Sequence, residues 1–371
     1  MNNRERTLAI LHYEPCDRIP LVHFGFWDQT LEKWAAQGHL SREETGRYED
    51  GSELDIKITK KLGFDFNWAS FLHPNCRLLP AFEEKVIKTF PDKSTHIQDQ
   101  YGVILLNRPD AVSIPAEIDH LLKDRRSWEE HYKWRYEWTE ERIDKEALLQ
   151  LKNQERSNPY GLYCGSMIGH IRDVVGLENL SYLTVDDPEL LDEMIETVAD
   201  LCYRNVEYVL NIYSDFDFGH FWEDICFKNG PLVSPAFFQQ KIGPHYKRIT
   251  KLLESQGIDI VSLDCDGKID ALVPTWVGNG VNTMFPIEVG TWNASIEPWR
   301  QQFGKTVRGV GGMNKTVFAH DRAAIDAEVE RLKRLVALGG YIPCPDHRIP
   351  PDAEWDLVRY YCDKMRQEMQ L

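Results

Sequence analysis

The chain has 371 residues, 42% hydrophobic and 27% charged, an ordinary globular composition that excludes collagen-like, coiled-coil and wholly disordered architectures. Asp and Glu number 59 against 43 Lys and Arg, a net charge of −16, and no run of five basic residues offsets it. A surface of that sign repels phosphate backbones and anionic lipid, so neither nucleic acid nor a membrane is an expected partner.

No stretch of 18 apolar residues occurs, and MNNRERTLAILHYEP has early charges and no apolar core. Neither a membrane span nor a cleavable leader is expected, which predicts a cytoplasmic protein. The eight cysteines are scattered without a CxxC, as expected of free thiols in a reducing compartment. The length fits two modest domains or one large α/β barrel. The 11 Trp, 16 Phe and 15 Tyr are core material first, and a surplus can line a cavity for a flat organic ligand.

In chain order, residues 1–13 read as a helix, 18–26 (RIPLVHFGF) as a strand and 28–62 as helical with breaks. From about 76 to 106 apolar and polar residues alternate around a Pro91-Asp92-Lys93-Ser94 turn, which predicts an antiparallel β-meander. Residues 126–153 form a charged helical stretch, most simply a solvated face. From about 160 short apolar strands alternate with amphipathic helices. Strands are expected at 160–167, 216–221, 258–267, 280–288, 306–315 and 339–347. Helices are expected at 188–213, 235–255, 321–338 and 353–369. That rhythm predicts parallel βαβ units. GVGGMNK does not match GxGxxG, so a closed barrel is favoured over a dinucleotide-binding sheet. The expected fold is a single (β/α)8 TIM-barrel domain over 1–371. Residues 1–155 are its N-terminal helical and β-meander elaboration, and 156–371 carry the main run of βα units.

Chemically capable side chains recur where the strands end. His220, Glu223 and Asp224 follow one strand; Asp264, Cys265 and Asp266 end the next; Glu288 ends another. Asn314 and Lys315 follow GVGG, and Cys344, Asp346 and His347 end the last. A TIM barrel brings such ends to one face, where its site lies. Plainer roles stay open: Asp264 and Asp266 as helix caps, Cys265 and His220 as packing residues. Carboxylates with imidazole can hold a borderline metal or act as general acids and bases, and the spacing does not decide between these.

Five segments together resemble the uroporphyrinogen decarboxylase superfamily. RERTLAILHYEPCDRIP is similar to its opening R-x-x-hydrophobic … P-x-D-R-I-P. WEDICFKNGPLVSPAFF is similar to its G-P-hydrophobic-hydrophobic-S-P-x-x-F segment, and LDCDGKIDALVP to its H-S-D-G-N strand end. GVNTMFPIE resembles its G-V-D … P-I-E strand, and PCPDHRIPPD its terminal loop. The segments run through nearly the whole chain in the family's order, and the resemblance implies a (β/α)8 barrel.

The superfamily holds two activities. Metal-free decarboxylation of uroporphyrinogen uses an N-terminal arginine-rich segment to hold substrate carboxylates. Here PLVHFGFWDQTLEKWAAQG has no arginine between Arg18 and Arg42, which disfavours that substrate. The other activity is methyl transfer to or from the cobalamin of a separate corrinoid protein, with zinc held by a His-x-Cys pair and a later cysteine. Those positions resemble Asp264, Asp266 and His347 here, a harder oxygen and nitrogen set suited to an ether or alkoxide rather than a thiol.

The resemblance therefore implies a corrinoid-dependent methyltransferase of O-demethylase type. Its partner is a corrinoid protein, and its substrate is a small, methoxylated aromatic methyl donor or acceptor. Asp264, Asp266, Glu288 and His347 would hold zinc or protonate a leaving oxygen. His220 and Glu223 would orient the substrate beside Asp266 and His347. Phe24, Trp27 and Trp68, with Asn314 and Lys315, would contact it. The alternatives are a metal-free decarboxylase or lyase with Asp266 and His347 as acid–base pair, and a corrinoid- or tetrapyrrole-binding module without turnover.

Overall fold

The computed structural model describes residues 1–45, 48–108 and 115–369. Among the described residues, eight parallel strands form a barrel. β1 is Val22–His23, and β2 is Phe66–Asn67 resumed at Phe71–Leu72. β3 is Gly161–Gly165, β4 Phe218–Trp222, β5 Val261–Asp264 and β6 Thr283–Phe285. β7 is Arg308–Met313 and β8 Tyr341–Pro345.

The two halves of β2 serve different neighbours. Phe66 and Asn67 pair with Val22 and His23, whereas Phe71 and Leu72 pair with Gly161 and Leu162 of β3. From β3 to β8 the strands pair in chain order. Phe26, past β1, bridges Ile349, past β8, and brings the two ends together.

The strands of the main run are almost wholly buried. Helices cover their outer face and side chains fill the inner one, so apolar runs rather than alternation identify them. The longest covering helix, Pro188–Ile212, starts with Pro at a first-turn position, and the Asp187 carboxylate caps it by accepting from Leu190 N at 3.0 Å. Its buried residues Leu191, Met194, Ile195, Val198 and Cys202 recur at helical spacing. Each large apolar side chain buried in this way stabilises the fold by about 1.5–3 kcal/mol relative to exposure.

Several elements differ from the expectations. The strand expected over 18–26 narrows to two residues. No strand is expected at 66–72, yet β2 lies there. Residues 1–155 thus supply two barrel strands as well as the meander. The meander has four antiparallel strands, Lys85–Thr89, Thr95–Gln98, Val103–Asn107 and Ala116–His120. Its last strand, AEIDH, lies beyond the expected 76–106 span and is mostly exposed.

The 126–153 stretch is broken into short helical turns before the helix Lys145–Asn153. Buried Arg142 donates there to the carbonyls of Glu137, Asn75, Arg77 and Arg135, which ties these turns to the chain around residues 75–77. Two further helices, Ile168–Val175 and Leu177–Asp186, follow β3. Among the described residues, no helix is long and apolar enough to cross a membrane.

Candidate active site

A cavity of about 460 Å³ opens at the C-terminal ends of the strands. Its walls are aromatic. Phe24 comes from the end of β1, Trp68 and Phe71 from the interrupted β2, Trp222 from β4 and Phe285 from β6. The break in β2 between Asn67 and Phe71 turns this segment's rings into the cavity. Trp68 stacks on Phe218 with centroids 4.5 Å apart, and Phe24 meets Phe285 edge-on at 4.8 Å. Packing of this kind fixes the rings, so a ligand meets a preformed wall.

Two imidazoles join that wall. His220 Nδ1 lies 3.1 Å from Ser262 Oγ, and its ring stacks on Phe71 at 4.5 Å. Burial pushes it down to about 3, with His73 adding to the effect. His73 stacks on Tyr163 at 3.9 Å and is pushed down to about 4 by burial and then by Arg77. Both rings are therefore neutral near pH 7 and act as hydrogen-bonding surfaces rather than charges.

The floor is acidic. His347 Nε2 lies 3.4 Å from Asp266 Oδ2, while Asp266 Oδ1 is buried with no hydrogen-bond partner among the described residues. Burial, then Asp266 and Asp224, raise Asp264 well above the ordinary carboxylate range. Asp224 is pushed up to about 6 by burial and then by Asp266, and Glu288 is raised for the same two reasons. Asp264 thus keeps its proton to higher pH than an exposed aspartate and can donate it.

The remaining side is an ion pair. Arg348 bonds Asp50 through both Nη atoms. Tyr48 Oη donates to Asp50 and to Asp55 at 3.1 and 3.0 Å, and Asn67 Nδ2 donates to the same two carboxylates at 2.9 and 3.0 Å. Gly25 makes room for the pair. A Cβ there would lie 2.4 Å from Arg348 Nη1 and 2.6 Å from Asp50 Oδ1, and its φ of +89° suits glycine alone.

Of the residues expected from sequence, Phe24, Trp68, His220, Asp264, Asp266 and His347 line this cavity together. Trp27 stands behind it, stacked on His347 with centroids 5.7 Å apart. Glu223 does not reach it. Its carboxylate accepts from Ser166 Oγ, Tyr246 Oη and the amides of Met167, Ile168 and Gly169, and so anchors the start of the helix Ile168–Val175.

Asn314 and Lys315 are also outside the lining. Asn314 caps a short helical turn by accepting from Thr316 N, and Lys315 Nζ sits 3.6 Å from buried Asp346. Cys265 is packed, and neither Asp264 nor Asp266 caps a helix, since the next one, Val273–Gly278, begins after Leu272. Asp50, His73 and Arg348 line the cavity without having been expected there.

The four expected zinc ligands do not assemble. Glu288 Oε2 accepts from Gly267 N at 2.5 Å and Oε1 from Thr291 Oγ1 at 2.9 Å, so both oxygens are engaged by the chain itself. Among the described residues, no group of three or more His, Cys, Asp or Glu is placed to hold a metal. The donor set does not fit zinc in this arrangement, and no step is routed through one.

A parallel (β/α)8 barrel with acids, imidazoles and aromatic rings gathered at its strand ends defines a protein of the barrel class with its site on the C-terminal face. The sequence profile described as Uroporphyrinogen decarboxylase (URO-D) matches residues 162–367, more than half of the chain, and the chain belongs to that family. No curated protein matches the sequence.

Among solved structures, a methyltransferase from Methanosarcina mazei is similar over 99% of both chains, with a TM-score of 0.61 and 15% identity. At that identity the likeness concerns the fold. A B12-independent methionine synthase from Shewanella sp. W3-18-1 is similar over 95% of this chain and 98% of its own, with a TM-score of 0.47 and 11% identity.

Proposed function

We propose that this protein is a methyltransferase that moves a methyl group between a small molecule held in the cavity and the cobalamin of a partner corrinoid protein. The observation that carries the reading is the pairing of flat aromatic walls with Asp264, a carboxyl raised well above its ordinary range beside Asp266 and His347. A corrinoid bound to a partner supplies the cobalt that exchanges the methyl group; the chain's own residues bind, orient and protonate.

For a methoxylated aromatic donor, the ring lies against Trp68, Phe71 and Phe285. Neutral His73 and His220 meet its polar substituents. Asp264 gives its proton to the oxygen that leaves, and this lowers the cost of expelling an alkoxide or phenoxide. His347, 3.4 Å from Asp266, is placed to return the proton through that carboxylate. A polycarboxylate substrate fits poorly: among the described residues, Arg348 is the one Lys or Arg in the lining, and Asp50 already engages it.

The test is transfer itself. Purified protein is mixed with a cob(I)alamin carrier and a panel of methyl ethers and other methyl donors, and demethylated product is measured. Product from at least one donor supports the reading, and none across the panel overturns it.

A further inference from the structure

We infer that the cavity takes a methylated ammonium cation, which gives the site a second class of methyl donor beside the ethers. Asp264 and Asp266 line the cavity, and Asp266 lies near enough to Asp264, Asp224 and Glu288 to raise all three. Each nearby cation is paired with a carboxylate other than Asp266: Arg348 with Asp50, Arg172 with Asp224 and Lys315 with Asp346. Among the described residues, one oxygen of Asp266 has no hydrogen-bond partner. A ligand without charge or donor leaves that oxygen unpartnered, whereas a cation offsets its charge.

The walls select which cation. Trp68, Phe71, Phe285, Phe24 and Trp222 line the cavity together with Asp266, and aromatic rings attract a diffuse positive charge. A metal ion or a primary ammonium needs several oxygen acceptors, and rings cannot supply them. A nitrogen wrapped in methyl groups needs no hydrogen bonds and fills an apolar cage while its charge meets Asp266. Burying methyls and a cation in one cavity is the combination these residues offer.

As a donor such a molecule needs no proton. The C–N bond breaks with its electron pair left on nitrogen, which departs as a neutral tertiary amine, and the methyl group passes to the cobalt(I) corrinoid carrier of the proposed function. Turnover therefore rests on the methyl-transfer reading, but binding does not.

Titration calorimetry on the full chain compares choline with 3,3-dimethylbutan-1-ol, its uncharged twin in shape. We expect choline to bind at least about tenfold more tightly. Asp266→Asn, which keeps shape and removes charge, should cut that preference to about threefold or less. Equal affinity for the twins, tighter binding of the neutral one, or a preference unchanged in folded Asp266→Asn overturns the inference. If that variant does not fold, the comparison on the unaltered protein still decides. Choline that binds without methyl transfer to the carrier leaves the cation site standing and counts against the methyltransferase reading instead.

Discussion

Replacing Glu223 by alanine separates two roles that one residue can play. Its carboxylate collects five donors: Ser166 Oγ at 3.0 Å, Met167 N at 3.1 Å, Ile168 N at 2.9 Å, Gly169 N at 2.6 Å and Tyr246 Oη at 2.5 Å. Glu223 and Tyr246 are both fully buried. Truncation strands three backbone amides at a helix start and a phenol, each costing about 1–3 kcal/mol when buried without an acceptor. Relief of the buried charge and entry of water return part of this, so the net loss should be about 3–5 kcal/mol.

Urea unfolding followed by tryptophan fluorescence, extrapolated linearly to water, measures it. Glu223→Gln keeps the shape and one carbonyl acceptor but turns an NH2 toward amides, and should lose about 1–3 kcal/mol. An alanine variant within about 1 kcal/mol of the parent that nevertheless loses kcat refutes the anchoring role and makes Glu223 a member of the catalytic set.

Asp264→Asn should lower transfer from methyl ethers by about 10²–10⁴-fold, measured as kcat/KM for an ether donor. In the parent that rate should fall as pH rises through the raised Asp264 value, because only the protonated carboxyl donates, and the alkaline limb should vanish in the variant. Gly25→Ala drives a methyl group against the Arg348–Asp50 pair and should cost about 1–3 kcal/mol, with weaker ligand binding by calorimetry. Glu44, bonded by Lys57, Ser41 N and Lys61, is held down at about 2 against an ordinary 4.5. A depressed carboxylate stabilises above its unfolded value and loses that stability as pH falls toward its folded one. Glu44→Gln should therefore flatten the stability curve between about pH 4.5 and 2 in acid unfolding scans. Chelator treatment followed by elemental analysis should find no stoichiometric zinc and unchanged transfer; a matched loss of both would show that Asp264, Asp266, Glu288 and His347 rearrange into a ligand set.

The barrel and half of its site are legible because strand ends are. Asp264, Asp266, His220 and His347 each follow an apolar run, and a parallel barrel sends every such end to one face. The sequence reading fails where a residue has no run to follow. His73 lies past β2, whose dipeptides Phe66–Asn67 and Phe71–Leu72 are too short to show a period. Asp50 sits in a loop between helices, and nothing local distinguishes it from any solvated acid.

Glu223 and Glu288 carry the right chemistry at the right ends, yet backbone amides claim both carboxylates. Which polar atoms a carboxylate satisfies is a property of the fold around it, not of its position in the chain. Asn314 shows the same limit: a helix cap and a ligand contact ask for the same side chain.

Asp50 and Arg348 are 298 positions apart, and Phe26 touches Ile349 across the same seam. During synthesis most of the barrel wall therefore leaves the ribosome before either charge has its mate. A nascent chain can fold its middle strands early, but it offers no receptacle for a ligand until the terminal loop arrives. Binding competence is thus withheld from incomplete copies, and a small molecule can stabilise only the finished protein. Ligand rescue of thermal stability should accordingly report on full-length material alone, which makes it a practical gauge of chain integrity in any preparation.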